Sequence, residues 1–292
     1  MPENVKQINE YLQKNLQALG IESSEATKEA ELIIEHLTGW DMAHQIIKSD
    51  CVLSDATINE AQRIINQRQK RMPLQYCLGQ APFMGFMLKI APGVLIPRTD
   101  TETLVVAVLN KLGRTKRALV ADIGVGSGAI AIALAKSCPD IQIVGLDISA
   151  KAVAIAQTNI NEHSVADRVT VIHKNWQEAL PYDLDVIVSN PPYISATEFA
   201  NLVPEIRNWE PQEALLGDDP DGLGFYRELS AKAARHLKMA GFLAVEIPDK
   251  SENAIKTIFG QSGWRKLEVV LDVNGLPRVL IAMPPETGFS KS

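Results

Sequence analysis

The chain has 292 residues, 46% hydrophobic and 22% charged, a balance ordinary for a globular protein long enough for two domains. Its 29 basic and 35 acidic side chains leave a net charge of −6, which argues against a partner held by a broad basic face, such as nucleic acid. Three cysteines (Cys51, Cys77, Cys138) are odd in number and far apart; they predict neither a disulfide framework nor a metal site, and fit a reducing cytoplasm.

The first residues lack the apolar core of a signal peptide, and no apolar run approaches the length of a membrane span, so no membrane association is expected. Residues 1–75 read as helical. Val5, Ile8, Leu12, Leu16 and Leu19 recur at three- and four-residue steps until Gly20. Ser23 or Ser24 opens a second helix that ends at Gly39, a short third covers about 41–48, and Ser54-Asp55 opens a fourth that ends before Pro73. Between 76 and 97, Gly79, Pro82, Gly85, Pro92, Gly93 and Pro97 punctuate short apolar pieces, which predicts a β-hairpin linker. A helix follows over 101–112, with Thr99 or Asp100 as its N-cap.

Strand and helix then alternate through the third region, 98–292. Strands are predicted at 118–123, 141–146, 169–172, 186–188 and 242–247, helices at 128–135, 149–162, 223–237 and 251–259, and a closing hairpin at 267–271 and 279–283 around Asn274-Gly275. Such alternation predicts an α/β fold with a doubly wound, mostly parallel Rossmann-like sheet.

Two strand ends carry the chemistry. Asp122-Ile123-Gly124-Val125-Gly126-Ser127-Gly128 joins a strand to a helix, where glycines let backbone amides approach a ligand and the helix start offers free N–H groups. Gly124-x-Gly126-x-x-Ala129 also satisfies a dinucleotide fingerprint, so a nicotinamide oxidoreductase competes. The acidic Asp122 and the glycine at 128 suit S-adenosylmethionine better, since it has no pyrophosphate to cradle but has an amino-acid end and a ribose. Asp147, about twenty residues on at a strand tip, can accept from ribose hydroxyls or cap the helix that follows. Trp176 can cover an adenine face or pack in the core.

The second strand end is Ser189-Asn190-Pro191-Pro192-Tyr193. Two prolines cannot continue a strand, and Asn190 is pushed extended by the proline after it, so this is a stiff turn at a carboxyl strand end, where open α/β sheets place ligands. It presents a side-chain amide, an unpaired carbonyl and an aromatic face. If Asn190 Oδ1 and the Pro191 carbonyl each accept one N–H of a planar NH₂ group, its lone pair is held toward a methyl donor while Tyr193 packs on the plane. No strong base is then needed, and the five histidines (His36, His44, His163, His173, His236) read as structural or surface groups. Glu246, at a strand end, reads as structural before it reads as a supporting group.

The whole pattern resembles the release-factor glutamine methyltransferases, the PrmC or HemK family. The resemblance runs through Pro73-Leu74-Gln75-Tyr76, Ile96-Pro97-Arg98, Thr101-Glu102, the glycine loop, Asn190-Pro191-Pro192-Tyr193, Glu210-Pro211 and Asp221-Gly222-Leu223. It implies a class I methyltransferase domain, a helical domain that helps hold the substrate, and transfer of a methyl group from S-adenosylmethionine to the Gln amide of a Gly-Gly-Gln motif in class 1 peptide-chain release factors. It implies Asp122, Gly124, Val125, Gly126, Ser127, Gly128, Asp147, Trp176 and Asn190 as cofactor contacts. Asn190, Pro191, Pro192 and Tyr193 are implied as the substrate-amide site, with Asn190, Pro191 and Tyr193 taking part in catalysis. Thr99, Asn175 and Pro248 depart from the family pattern. A ribosomal-protein glutamine methyltransferase shares the turn, as do DNA and RNA adenine methyltransferases, which usually carry a strongly basic recognition domain. A non-catalytic module on the same scaffold would not need both strand ends intact.

Overall fold

The computed structural model describes residues 3–113 and 117–286, and the chain divides into two compact units. One comprises Met1–Gln80 with Pro204–Trp209, the other Ala81–Val203 with Glu210–Ser292.

The first unit is built from α1 (Val5–Ala18), α2 (Ser23–Thr38), α3 (Met42–Ile47), α4 (Asp55–Arg68) and α5 (Leu74–Leu78). The periodic residues read from the sequence form its core: Val5, Ile8, Leu12 and Leu16 pack with Ala30, Ile33, Ile34, Ile64 and Ile65. Ser54 caps α4 by accepting from Thr57 N–H, and Gly39 closes α2 in the left-handed conformation. At the start of α2 neither serine side chain caps; Glu22 holds the cap position without a side-chain bond, and both serines lie inside the helix. The short helix α5 was not predicted, because five residues carry too little periodicity.

The second unit begins at Ala81, within the first strand of the hairpin β1 (Gln80–Phe83) and β2 (Phe86–Lys89), and continues with α6 (Asp100–Leu112). Strands and helices follow as β3 (Ala118–Ile123), α7 (Ala129–Ser137), β4 (Ile141–Asp147), α8 (Ala150–Glu162), β5 (Val169–His173), α9 (Trp176–Ala179) and β6 (Leu184–Ser189). Two short helices, α10 (Ala196–Ala200) and, in the part of the chain that belongs to the first unit, α11 (Pro204–Arg207), interrupt the alternation before α12 (Gly224–Lys232). The last elements among the described residues are β7 (Leu237–Glu246), α13 (Glu252–Gln261), β8 (Arg265–Leu271) and β9 (Pro277–Met283).

The seven-stranded sheet has the order β5-β4-β3-β6-β7-β9-β8. Every pair is parallel up to β7, and β9 runs antiparallel to β7 and β8. The expected doubly wound, mostly parallel sheet is therefore present. Helix α12 stops at Lys232, short of the predicted 237; a 3₁₀ turn (Ala234–His236) intervenes and Leu237 already pairs with Leu184. The N-terminal end of β7, Lys238-Met239-Ala240, faces solvent and lacks the apolar run that marks a buried strand.

Candidate functional site

Strand order reverses at β3, whose two neighbours β4 and β6 leave in opposite directions along the sheet, and the crevice at such a switch point is where open α/β sheets bind ligands. Ile123, the last residue of β3, lies in register with Ser189, the last of β6, and Ser189 Oγ donates to the Ile123 carbonyl at 2.8 Å. The glycine loop and the Asn190 turn thus leave adjacent strands from the same level.

The loop is held from two sides. Gly124 and Val125 N–H both donate to the Leu146 carbonyl, and Gly126 N–H donates to Asp147 Oδ2 at 2.9 Å. Asp147 Oδ1 accepts from Ser149 N–H at 2.8 Å, while the N-cap of α8 is Ser149 itself. Each Asp147 oxygen keeps lone-pair capacity for a hydroxyl of a ligand. Gly128 sits at φ 85°, and a Cβ there would press on Ile132 and Ala156, so the turn into α7 requires glycine. Below the loop, buried Asn159 donates to the Ser127 and Lys89 carbonyls and accepts from Lys89 N–H, joining α8, the loop and β2. Sequence reading missed Asn159 because an Asn inside a helix gives no sign of which backbone it serves.

Asp122 is fully buried and neither carboxylate oxygen has a hydrogen-bond partner. Burial pushes it up to about 7, offset in part by the nearby Ala131 N–H and reinforced by the Asp147 charge.

The turn at 190–193 is equally constrained. Asn190 Nδ2 donates to Thr101 Oγ1 at 3.0 Å, and Thr101 Oγ1 lies 2.7 Å from Glu246 Oε2. Thr101 and Glu246 are buried; Glu246 is pushed up to about 7 by burial, against the pull of Thr101 and Arg278. Among the described residues no donor reaches Asn190 Oδ1 or the Pro191 carbonyl. Tyr193 packs partly buried and is pushed up to about 12, chiefly by burial, so it offers a ring rather than a base. Thr99 is the N-cap of α6, one of the two positions expected, but it makes no side-chain bond, and Asp100 is the first helical residue and faces Arg278 at 3.1 Å.

A cavity of about 550 Å³ opens between the two strand ends. That is within the range of small-molecule sites, roughly 300–1,000 Å³. Gly124, Gly126, Asp147, Trp176, Asn190, Pro191 and Pro192 line it. Asp122, Val125, Ser127, Gly128 and Tyr193 do not reach its wall; they support the loop and turn from behind. Trp176 belongs to the core, one of the two places expected of it, and also lines the cavity; Phe225 lies 6.3 Å from it, ring to ring, on the same wall. Phe225 was not singled out in the sequence, and Glu210-Pro211 entered only as part of the resemblance, because contacts made from a distant loop leave no local pattern that assigns Pro211–Gly217 to the cavity wall. None of the five histidines lines the cavity; His163, His173 and His236 each bind a backbone carbonyl. Backbone amides, a carboxylate with free lone pairs and aromatic rings suit an amino-acid end, a ribose and a purine.

The Methyltransferase small domain family model matches residues 98–206, and the PrmC N-terminal domain model matches residues 7–79. A release factor glutamine methyltransferase of Geobacter sulfurreducens is 36% identical over 277 residues, spanning 94% of this chain and 95% of that one. The chain belongs to the release factor glutamine methyltransferases. A further member, from Fusobacterium nucleatum, is 41% identical over 75% of this chain, which spans 62% of that relative's length. A methyltransferase from Pyrococcus furiosus shares the fold at 18% identity, with a TM-score of 0.51 over 75% of this chain and 98% of that one. Within this release factor glutamine methyltransferase the departures from the family pattern have local accounts: Asn175 caps α9 by accepting from Gln177 N–H, and Pro248 follows Ile247, whose N–H is the one that pairs with Arg278.

Proposed function

We propose that this chain methylates the side-chain amide nitrogen of the Gln in the Gly-Gly-Gln motif of class 1 peptide-chain release factors. The observation that carries the reading is the pair of open acceptors, Asn190 Oδ1 and the Pro191 carbonyl, beside a cavity built for a nucleoside. Gly124, Gly126, Asp147 and Trp176 are the residues that would hold S-adenosylmethionine, with Asp147 on the ribose. When bound there, S-adenosylmethionine supplies an electrophilic methyl on a sulfonium that leaves as a thioether.

An amide nitrogen is a weak nucleophile because its lone pair is delocalised. Two acceptors, one on each N–H, orient that nitrogen and polarise its N–H bonds as the new N–C bond forms. One of those protons becomes strongly acidic on bond formation and passes to water through the acceptor that holds it. The proline pair keeps the Pro191 carbonyl rigidly aimed, and Tyr193 backs the turn. The helical unit serves as a further surface for the release factor. No helix among the described residues is long and apolar enough to cross a membrane; with three free cysteines, a cytoplasmic setting with translation factors suits the chain.

The test is transfer of label from radiolabelled S-adenosylmethionine to a class 1 release factor, to that factor with its motif Gln changed to Ala, and to unmethylated DNA. Label in the intact factor alone is expected, and Asn190→Ala should remove it. Label in DNA alone would overturn the reading.

A further inference from the structure

An asparagine amide offers an acceptor on one side and a donor on the other, and only one orientation presents Oδ1 to an incoming N–H. The turn itself does not choose between them; what chooses is the group beyond. Thr101 Oγ1 is within 3.0 Å of Asn190 and 2.7 Å of Glu246 Oε2. A hydroxyl has one proton to give. An ionised carboxylate can only accept, so Thr101 must donate to Glu246 and accept from Asn190 Nδ2.

We infer that Thr101 and Glu246 are positioning residues that lock the Asn190 amide with Oδ1 toward the substrate. The inference rests on the amide-methylating reading above. The backbone around them is built to hold this line. Glu246 stands at the end of β7 in register with Val279 of β9, and its carbonyl accepts from buried Tyr226 Oη at 2.8 Å. Thr101 lies in the first turn of α6, its N–H donating to the Arg98 carbonyl. Helix α6, strand β7 and the Asn190 turn thus meet at one hydroxyl, and neither Thr101 nor Glu246 itself lines the cavity. With the proton order reversed, as when Glu246 is neutral, Thr101 can donate to Asn190 Oδ1 and the amide turns its NH₂ toward the substrate. Two N–H groups would then face each other.

The experiment compares wild type, Thr101→Val, Thr101→Ser and Glu246→Gln for kcat and KM toward release factor, with S-adenosylmethionine affinity by calorimetry and a thermal melt on each. Thr101→Val is expected to lower kcat roughly 10- to 100-fold with cofactor affinity within about two-fold of wild type, because one orienting contact is lost while the cavity is unchanged. Thr101→Ser, which keeps the hydroxyl, is expected to restore kcat to within about three-fold. Thr101→Val at wild-type kcat would overturn the inference, as would Thr101→Ser as impaired as Thr101→Val. Should Thr101→Val fail to fold, Thr101→Ala decides: it also lacks the hydroxyl, so loss of kcat with intact cofactor binding supports the positioning role and wild-type kcat overturns it, while Glu246→Gln, which keeps an acceptor oxygen, supports it if kcat falls and loses its pH dependence. If wild type itself places no label on release factor, the substrate reading has failed and the inference falls with it; a wild-type rate that needs Asn190 but not Thr101 or Glu246 overturns the inference alone.

Discussion

The α-carbon of Gly222 lies so close to Tyr193 that a side-chain carbon there would sit 2.3 Å from the Tyr193 carbonyl oxygen. Gly222 is also at φ 75°, where an L side chain is strained. The turn that carries Asn190 is therefore clamped from outside. Ile194 N–H donates to the Leu215 carbonyl, Gly217 N–H donates back to the Ile194 carbonyl, and Gly222 passes over Tyr193. Gly222→Ala should push this clamp away from the turn. Steady-state kinetics should show kcat lowered more than about ten-fold, since sub-ångström misplacement of an orienting group is costly. Calorimetry should find S-adenosylmethionine binding weakened less than kcat, because the glycine loop and Asp147 lie on the other strand end while only the clamped segment through Gly217 shares the cavity wall.

This clamp marks the limit of what could be read from the chain alone. The glycine loop and the Asn-Pro-Pro-Tyr turn were legible because each packs its chemistry into consecutive residues with restricted backbone geometry. The alternating apolar runs gave the strands and so the sheet. What was not legible depends on contacts over long sequence separations: Thr101 to Glu246, Asn159 to Ser127, Gly222 to Tyr193, and Phe225 beside Trp176. Glu246 read as a plain structural acid because a lone carboxylate at a strand end has no local partner to betray its use. Its meaning appears only when α6 and β7 are packed together.

Glu246 also makes the reaction sensitive to pH. Burial raises it to about 7 from an ordinary 4.5. Facing it are Arg98 just before α6, Asp100 and Thr101 at the start of α6, Tyr193 in the turn, Tyr226 of α12 and Arg278 of β9, of which the two arginines favour its charged form and Asp100 opposes it. The ionised form is the one that fixes Asn190, so kcat should fall as pH drops through about 7, and Glu246→Gln should abolish that limb while lowering the plateau. Stability runs the other way. The folded protein holds this proton more tightly than the unfolded chain, so the folded state loses stability as pH rises from about 4.5 through about 7. A pH series of kcat beside a pH series of urea melts checks both signs in one protein preparation.

Asp122 contributes to the same stability trend without the catalytic one. It is fully buried, without a hydrogen bond to either oxygen, and raised to about 7 from 3.8. Above pH 7 it is a charge in the core eased only by the Ala131 N–H near it. Asp122→Asn should therefore raise stability at pH 8 by on the order of 1–3 kcal/mol, a gain that shrinks as pH falls toward 4, where the wild-type carboxyl is already neutral. Denaturant melts at both pH values are the measurement; equal stability of the two proteins at pH 8 would show that the carboxylate is solvated or paired when the cavity is empty.

In the helical unit, Arg68 and Glu29 form a bidentate pair, Arg68 Nε and Nη2 donating to the two Glu29 oxygens at 2.9 and 2.8 Å. The pair ties α4 to α2 at 4% and 12% side-chain exposure, and Arg68 Nη1 also donates to the Met72 carbonyl. Burial still holds Glu29 above its usual range despite the guanidinium beside it. Desolvation of Glu29 thus outweighs the attraction on its carboxyl, and a buried pair of this kind is expected to add little net stability while fixing which helices meet. Removing one partner should be far worse than removing both. Arg68→Ala should cost about 3–5 kcal/mol by leaving Glu29 buried and alone, whereas Arg68→Met with Glu29→Leu should fall within about 2 kcal/mol of wild type. Glu205 pairs with Arg71 at 2.7 Å and more loosely with Arg68 Nη1 at 3.6 Å; both variants lose that second contact alike, so it cancels in their difference. A double-mutant cycle by urea unfolding reads the coupling directly, and a coupling near zero would mean that water reaches the pair and that its burial does not set its energetics.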